Sequence, residues 1–302
     1  MKNNSIVNDL RASFLRLSYK LAPFDLKGDL KTDQKTVQKN FISCLICTCN
    51  RPNELKVLLG DLFYQTLDKK NFEVVILDNG WKDVWPVIKE FNSKITIKYK
   101  KAGSEHKMIG QLRNQTISES LGEYMLLLDD DTRIFQNNFL DTALRIFEEE
   151  SPDAILPIGE ASFGIVKLKY DFLNPVSFGN AAIFYRYETL KELGGFKDEL
   201  PSYEDIEFSI RLTIADRKVL RTSELIYLHP PFYFDSMQKP LSIGCSIQKL
   251  RRHYSLVMWL LIYFNALRFL PYGLVPNIKY QQWFKISLGV LLSTFKKKQY
   301  FY

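Results

Sequence analysis

A row of short apolar runs dictates most of what this chain can fold into. FISCLIC (41–47), FEVVILD (72–78), ITIKY (95–99), YMLLLD (124–129) and AILPI (154–158) have the length and make-up of buried strands. Helical patterns fall between them: from Asn53, placed to cap, to about Gln65; from Lys107 to about Leu121; and from Asn138 to Glu150. Strands alternating with helices predict βαβ units, hence an α/β fold whose mainly parallel sheet is covered by helices on both faces. In such sheets ligands sit beyond the carboxyl ends of the strands. Three polar clusters stand there: Thr48 to Arg51, then Asp78 with Asn79, then Asp129, Asp130 and Asp131. They are expected to converge.

The third cluster is the most telling. Three consecutive carboxylates at the end of a buried strand repel one another, and inside a crevice a bound cation relieves the repulsion. Carboxylate oxygens suit Mg²⁺ or Mn²⁺, held together with phosphate oxygens. The other reading is an acidic cap on the next helix, near Asn137. Neither G-x-G-x-x-G nor G-x-x-x-x-G-K-[ST] occurs, which argues against a dinucleotide dehydrogenase and a P-loop enzyme. A diphosphate here would be held by a metal and by basic side chains such as Arg113.

Composition narrows the class further. With 302 residues, 46% hydrophobic and 25% charged, the chain has the make-up of a globular protein, not of a disordered, collagen-like or disulfide-stapled one. Its net charge of +7 is uneven: residues 236–302 hold ten Lys or Arg and no Asp or Glu, leaving −3 for residues 1–235. Cys44, Cys47 and Cys49 crowd one strand with Cys245 elsewhere, so a reduced, intracellular protein is expected, a zinc site being the alternative. MKNNSIVNDLRA lacks the apolar segment of a secretory signal, and the longest apolar run, Tyr254 to Leu267, falls short of the roughly 20 residues that span a bilayer.

CTCNRP, VVILDNG, RNQTISESLGEYMLLLDDD, GNAAIFYRYETLKELGGF and YEDIEFSIRL, in that order and spacing, resemble family 2 glycosyltransferases of the GT-A fold. The resemblance covers about Phe41 to Pro231. It implies a nucleotide-sugar donor, with a UDP-sugar favoured, a divalent metal (Mg²⁺ or Mn²⁺), and inversion at the anomeric carbon. Carried over by position, Thr48, Asn50 and Arg51 would contact the nucleotide, and Asp78 or Asn79 would read the base. Arg113 and Asn114 match the R-N pair that closes the nucleotide pocket. Asp129 and Asp131 match the D-x-D pair, with Asp130 between them and Asp131 the more direct metal ligand. Gly179 and Asn180 would line the donor-sugar and acceptor side. Asp205 would be the catalytic base with Glu204 beside it, and His229 sits where some members place a metal-contacting residue. The chain departs from the family pattern at Cys47 and Cys49, where Pro and Tyr are usual, at Asn79, often acidic, and at Thr116, commonly Gly.

Bland readings stand beside these. Glu204, Asp205 and Glu207 could be helix-start acids, and His229 or His106 packing residues. Gly194-Gly195 reads as a helix C-cap after Tyr187–Leu193.

The expected organisation is a leader over 1–40, a catalytic domain over 41–235 and a basic, aromatic helical region over 236–302. In the leader, Leu10, Phe14, Leu17 and Leu21 recur at helical spacing between Arg11, Arg16 and Lys20, which predicts an amphipathic helix that either packs on the domain or touches a membrane; Lys27 to Asn40 reads as a linker. The last region carries thirteen aromatics with its ten cations, a pattern for interfacial helices on an anionic leaflet, for a packed subdomain, or, ranked last, for RNA binding. No nucleic-acid partner is expected. The function expected is a metal-dependent inverting glycosyltransferase, cytoplasmic and peripheral on the inner face of the cell membrane, acting on a glycan or lipid-linked acceptor in surface polysaccharide or glycolipid synthesis. The alternative is an inactive transferase scaffold that binds membrane or nucleic acid.

Overall fold

The computed structural model describes residues 4–5, 10–31, 35–103, 107–161, 181–229 and 238–295. Among these residues, eight strands form one mixed, mostly parallel sheet: β1 (Asn4–Ser5), β2 (Gln38–Thr48), β3 (Phe72–Asp78), β4 (Ile97–Lys101), β5 (Gly122–Asp129), β6 (Ala154–Ala161), β7 (Ala182–Arg186) and β8 (Val219–His229), in the order β1-β8-β6-β7-β5-β2-β3-β4. β2 lies between β3 and β5, parallel to both, and β4 continues in parallel. β7 runs antiparallel to its neighbours β5 and β6, and β6 is parallel to β8. This is the GT-A arrangement.

Strand alternation sorts the core onto the two faces of the sheet. Ile42, Cys44 and Ile46 point to one face, where they meet α2 (Pro52–Phe63), α3 (Trp85–Asn92) and α5 (Phe139–Glu150). Leu45, Val75, Met125 and Leu127 point to the other, against α4 (Ile109–Glu119), α6 (Tyr187–Glu192) and α7 (Glu204–Ile214). Asn53 does not cap α2. Arg51 occupies the cap position without a side-chain bond, and Pro52, which needs no N–H partner in the first turn, starts the helix.

Residues 27–31, expected as linker, form a strap on the double-glycine turn. Gly28 N and Leu30 N donate to Leu193 O and Gly194 O, both at 2.8 Å, and Asp29 N donates to Phe196 O at 3.0 Å. Gly194 and Gly195 adopt left-handed φ of 65° and 59° as they end α6, and a Cβ on Gly195 would lie 2.4 Å from Asn114 Oδ1. Behind the strap sits the fully buried pair Glu207–Arg211, whose guanidinium also donates to Leu26 O, Leu193 O and Gly195 O.

The remaining helices build a third cluster. α1 (Leu10–Leu21), α8 (Gln238–Lys249), α9 (Leu256–Leu267) and α10 (Ile278–Phe295) bury Leu15, Ile247, Leu250, Met258, Ile262 and Val290 against Leu200, Ile210 and Ile214. α8 and α10 cross closely: a Cβ on Gly289 would lie 2.5 Å from Leu241 O. The packed row of α1 is Ala12, Leu15 and Ser18, whereas Phe14, Leu17 and Leu21, the row read from the sequence as apolar, are exposed. By length and composition alone, Leu256–Leu274 is apolar enough to cross a membrane, which the run of consecutive apolar residues did not indicate; only 17% of it is buried.

Candidate active site

Strand register brings the expected clusters to one edge. Thr48 pairs with Asp78, and Cys47 with Asp129. The chain after Asp131 then turns back along β8: Arg133 and Leu228 exchange backbone hydrogen bonds at 2.8 and 2.9 Å. That local pairing carries His229, from the far side of the sheet, up to the acids. Its Nε2 lies 3.1 Å from Asp131 Oδ1 and 3.9 Å from Asp129 Oδ2.

The three consecutive carboxylates therefore do different things. Asp130 is buried and turned toward the first loop. It accepts from Thr48 Oγ1 at 2.9 Å, Cys49 N at 3.4 Å and Arg51 Nη1 at 3.0 Å. Burial raises its pKa to about 6 in spite of Arg51. Asp129 and Asp131 reach toward His229 instead, and Asp131 Oδ2 also accepts from Arg51 Nη1 at 2.6 Å. One ligand atom each from Asp129, Asp131 and His229 lies within 4.8 Å of the others. Asp131 Oδ1 is buried and receives no hydrogen bond of proper direction, the condition of an oxygen placed for a cation. Burial pushes the Asp131 carboxyl up, but His229 and Arg51 outweigh it and hold it below the ordinary value. Two carboxylates and an imidazole around one point fit a divalent ion. The cysteines form no such group among the described residues; burial pushes Cys47 up to about 12, which keeps it a thiol.

Arg113 joins this group to the start of α7. Its Nη2 donates to Asp129 Oδ1 at 3.3 Å, and its Nε lies 3.3 Å from Glu204 Oε1. Burial lowers its pKa, yet Glu204, Asp129 and Asp205 more than offset this and keep it a cation. Glu204 is buried, and burial pushes its carboxyl up to about 7 against the pull of Arg113. Asp205 is half-buried, accepts from Ile206 N at 2.7 Å, and is raised by burial too. A continuous line of contacts thus runs from Asp131 through His229, Asp129 and Arg113 to the Glu204–Asp205 pair.

The other expected residues are placed as follows. Asn50 Oδ1 accepts from Trp81 N and Lys82 N, which ties the first loop to the second. Asp78 is fully buried and accepts from Gly80 N, Lys101 Nζ and Tyr99 Oη. The Asn79 side-chain amide donates to Lys107 O. Asn114 donates to Phe196 O and Asp198 Oδ1 and accepts from Phe196 N, so it holds the double-glycine turn. Gly179 and Asn180 lie outside the described residues.

Sequence reasoning missed what holds the Glu204–Asp205 pair. Tyr203, just before it, has a left-handed φ of 72°, rare for a bulky residue and costing about 1–3 kcal/mol. The preceding residue is pinned from α8: Ser202 N donates to Ser246 Oγ at 3.3 Å, and the Ser202 and Ser242 hydroxyls are 3.0 Å apart, all buried. Nearby, His253, Arg252 and Lys249 bind Glu199. Serines 40 and 44 residues away in α8 give no signal in the sequence. Glu207 and Arg211, four apart, do give one.

A sequence profile described as glycosyl transferase family 2 matches residues 43–202, ending just before Tyr203. The chain is 26% identical to the glycosyltransferase AglE of Haloferax volcanii over 252 residues, 74% of this chain and 81% of AglE. It is 25% identical over 199 residues to TarS of Staphylococcus aureus, a poly(ribitol-phosphate) β-N-acetylglucosaminyltransferase, where it spans 35% of that protein's length. Among solved structures it is similar to TarS 1–349 in complex with UDP-GlcNAc (TM-score 0.60, 20% identity, 80% of this chain and 78% of that one). It is likewise similar to the mannosyltransferase PcManGT of Pyrobaculum calidifontis in complex with GDP-Man and Mn²⁺ (TM-score 0.61, 13% identity, 95% and 93%). At these identities the structural likeness establishes the fold.

Proposed function

The chain belongs to glycosyl transferase family 2 and is a glycosyltransferase; from that premise we propose that it transfers a sugar, with inversion and metal assistance, from a nucleoside diphosphate to a glycan or lipid-linked acceptor. A UDP-sugar is the favoured donor, because the similar TarS structure holds UDP-GlcNAc. Surface polysaccharide or glycolipid synthesis, at the cytoplasmic face of the cell membrane, is the process that fits. The observation that carries the reading is the line of contacts joining Asp131 and Asp129 to Glu204 and Asp205 through Arg113.

Asp129, Asp131 and His229 would hold the metal. An imidazole in the set favours Mn²⁺ over Mg²⁺, which prefers oxygen ligands throughout. When bound, such an ion neutralises charge on the leaving diphosphate. Arg113, a buried cation beside Asp129, adds to that stabilisation from the protein's own side. Asp205 takes the proton of the acceptor hydroxyl as its oxygen attacks the anomeric carbon, while the bond to the diphosphate breaks. A carboxyl held above its ordinary value by burial is a stronger base than an ordinary one. Glu204, held by Arg113, fixes the start of α7 and the charge around Asp205. Gly179 and Asn180 remain assigned to the donor-sugar and acceptor side, and Asp78 and Asn79 to the base.

Calorimetry with UDP, with and without Mn²⁺, tests the reading. Binding that requires the ion is expected. Failure of all common nucleoside diphosphates to bind would leave an inactive scaffold.

A further inference from the structure

α1 packs through one row and leaves the opposite row bare. Ala12, Leu15 and Ser18 are buried, while Phe14, Leu17 and Leu21, spaced three and four apart, are 59%, 55% and 79% exposed. α9 repeats the pattern. Met258, Ile262 and Ala266, four apart, face the core, and Leu256, Val257, Leu261 and Phe264 face out, Phe264 at 62% exposed. The two helices touch end to end. Ser255 Oγ, the cap of α9, donates to Ala22 O at 2.6 Å, and Phe24 stacks on Tyr254 at 4.1 Å. Leu21 and Leu256 each stand one residue from that hydrogen bond, so the two bare rows meet there.

Isolated exposed apolar residues need no explanation, but two rows meeting at one seam do. The charge around them is mostly basic, with Asp25 the exposed acid just past α1. Lys20 and Arg251 are exposed, the Arg252 side chain is 69% exposed although it meets Glu199, and the Arg268 guanidinium lies over Phe269 at the end of α9. The exposed Asp216 at this end is paired with Arg16. No acid follows Asp235 in the sequence.

We propose that the exposed rows of α1 and α9 together form one docking face for an anionic lipid bilayer, on which both helices lie flat. The proposal deepens the membrane part of the function proposed above by naming the surface, and it joins the N-terminal helix to the C-terminal region as one device. Lying flat, rather than crossing, follows from the inward row. Met258, Ile262 and Ala266 are in the core, Trp259 Nε1 donates to Ile247 O, and Ser287 Oγ donates to Ala266 O, so α9 cannot enter the hydrocarbon without leaving the protein. An apolar row rimmed by Lys and Arg suits the headgroup boundary, each basic residue adding about 1 kcal/mol near an anionic surface.

Flotation of the full chain with vesicles tests this. Wild type is expected to float with phosphatidylcholine–phosphatidylglycerol vesicles, to float less in high salt, and to stay behind with pure phosphatidylcholine. L17E/F264E should lose most of the floated fraction while binding UDP with Mn²⁺ as wild type does. Because that variant can disturb folding, K20E/R251E, at exposed cations, is run beside it and should weaken flotation on anionic vesicles alone. Unchanged flotation of both variants overturns the proposal. So does a wild-type dimer that L17E/F264E dissolves, which would make the face a contact between copies, and so does resistance of vesicle-bound wild type to alkaline carbonate, which would mean a crossing helix. Loss of UDP binding in wild type would instead strike the function proposed above and leave the lipid result standing.

Discussion

The ligand edge of the sheet and the helical half beneath it reach the same active site by opposite routes. At the edge, each functional residue ends an apolar strand, so its place follows from the strand: Thr48 is level with Asp78, and Asp129 with the adjacent Cys47. In the helical half, Glu204 and Asp205 stand at the start of a helix whose position depends on contacts from far along the chain. Arg211 reaches back to Leu26, and Ser202 reaches forward to Ser242 and Ser246. The lesson, on the function proposed above, is a division of labour in which the edge would supply binding and the helical half the geometry of the proton transfer.

The sharpest way to break that division is to mutate one residue on each side. Asp205→Asn is expected to lower kcat by about 10²–10⁴, the usual contribution of a general base, with unchanged UDP affinity. Asp131→Asn is expected to abolish the Mn²⁺ dependence of UDP binding. Calorimetry and initial rates on the two variants separate the halves; an Asp205→Asn enzyme as active as wild type would remove the proposed base.

Next in size is the buried pair. Arg211→Leu leaves the Glu207 carboxylate without its partner and strips the carbonyls of Leu26, Leu193 and Gly195 of a donor. Breaking one side of such a pair costs about 3–5 kcal/mol. The urea midpoint should fall accordingly, and the strap should become accessible to protease before the rest of the chain. A variant as stable as wild type would show that the strap is held by the turn alone.

A smaller effect is expected from S242A/S246A, which removes both hydroxyls from Ser202. Stability should drop by about 1–3 kcal/mol, the cost of unsatisfied buried polar groups. If these serines hold the base, kcat should fall by up to about 100-fold, since small misplacements are costly in catalysis, while UDP affinity stays. Loss of stability with unchanged kcat would assign them to folding only.

How much of this the sequence revealed follows the same division. The strands and their polar ends were legible because apolar runs bounded by turns encode both place and direction. In the grouping of Asp129, Asp131 and His229 the acids mark themselves, whereas His229 was reached only through the resemblance, because it arrives through the Arg133–Leu228 pairing, which no local pattern announces. The separation of Asp130 from Asp129 and Asp131 was legible only through the D-x-D resemblance, because three consecutive acids otherwise read as one block. α1 was found with packing and membrane contact both open: the row counted as apolar faces out, and the packed row contains Ala12 and Ser18, whose small side chains allow close approach but add little to an apolar stripe. The serines above Tyr203 were illegible altogether.

The smallest predicted effect lies at the joint between the halves. Glu204 is raised from 4.5 to about 7, mainly by burial, with Arg113 pulling down and Asp205 pushing up. The folded state therefore holds this proton more tightly than the unfolded chain does. Its contribution to stability is fully present below about 4.5 and is lost as pH rises through about 7. Glu204→Gln carries no titrating proton, so its melting temperature should decline less than that of wild type between pH 4.5 and 7. Melts of both proteins at pH 4.5, 6 and 7.5 read the difference directly. Parallel curves would mean that Arg113 holds Glu204 ionised throughout, and the joint would then be an ordinary ion pair that leaves the proton chemistry to Asp205 alone.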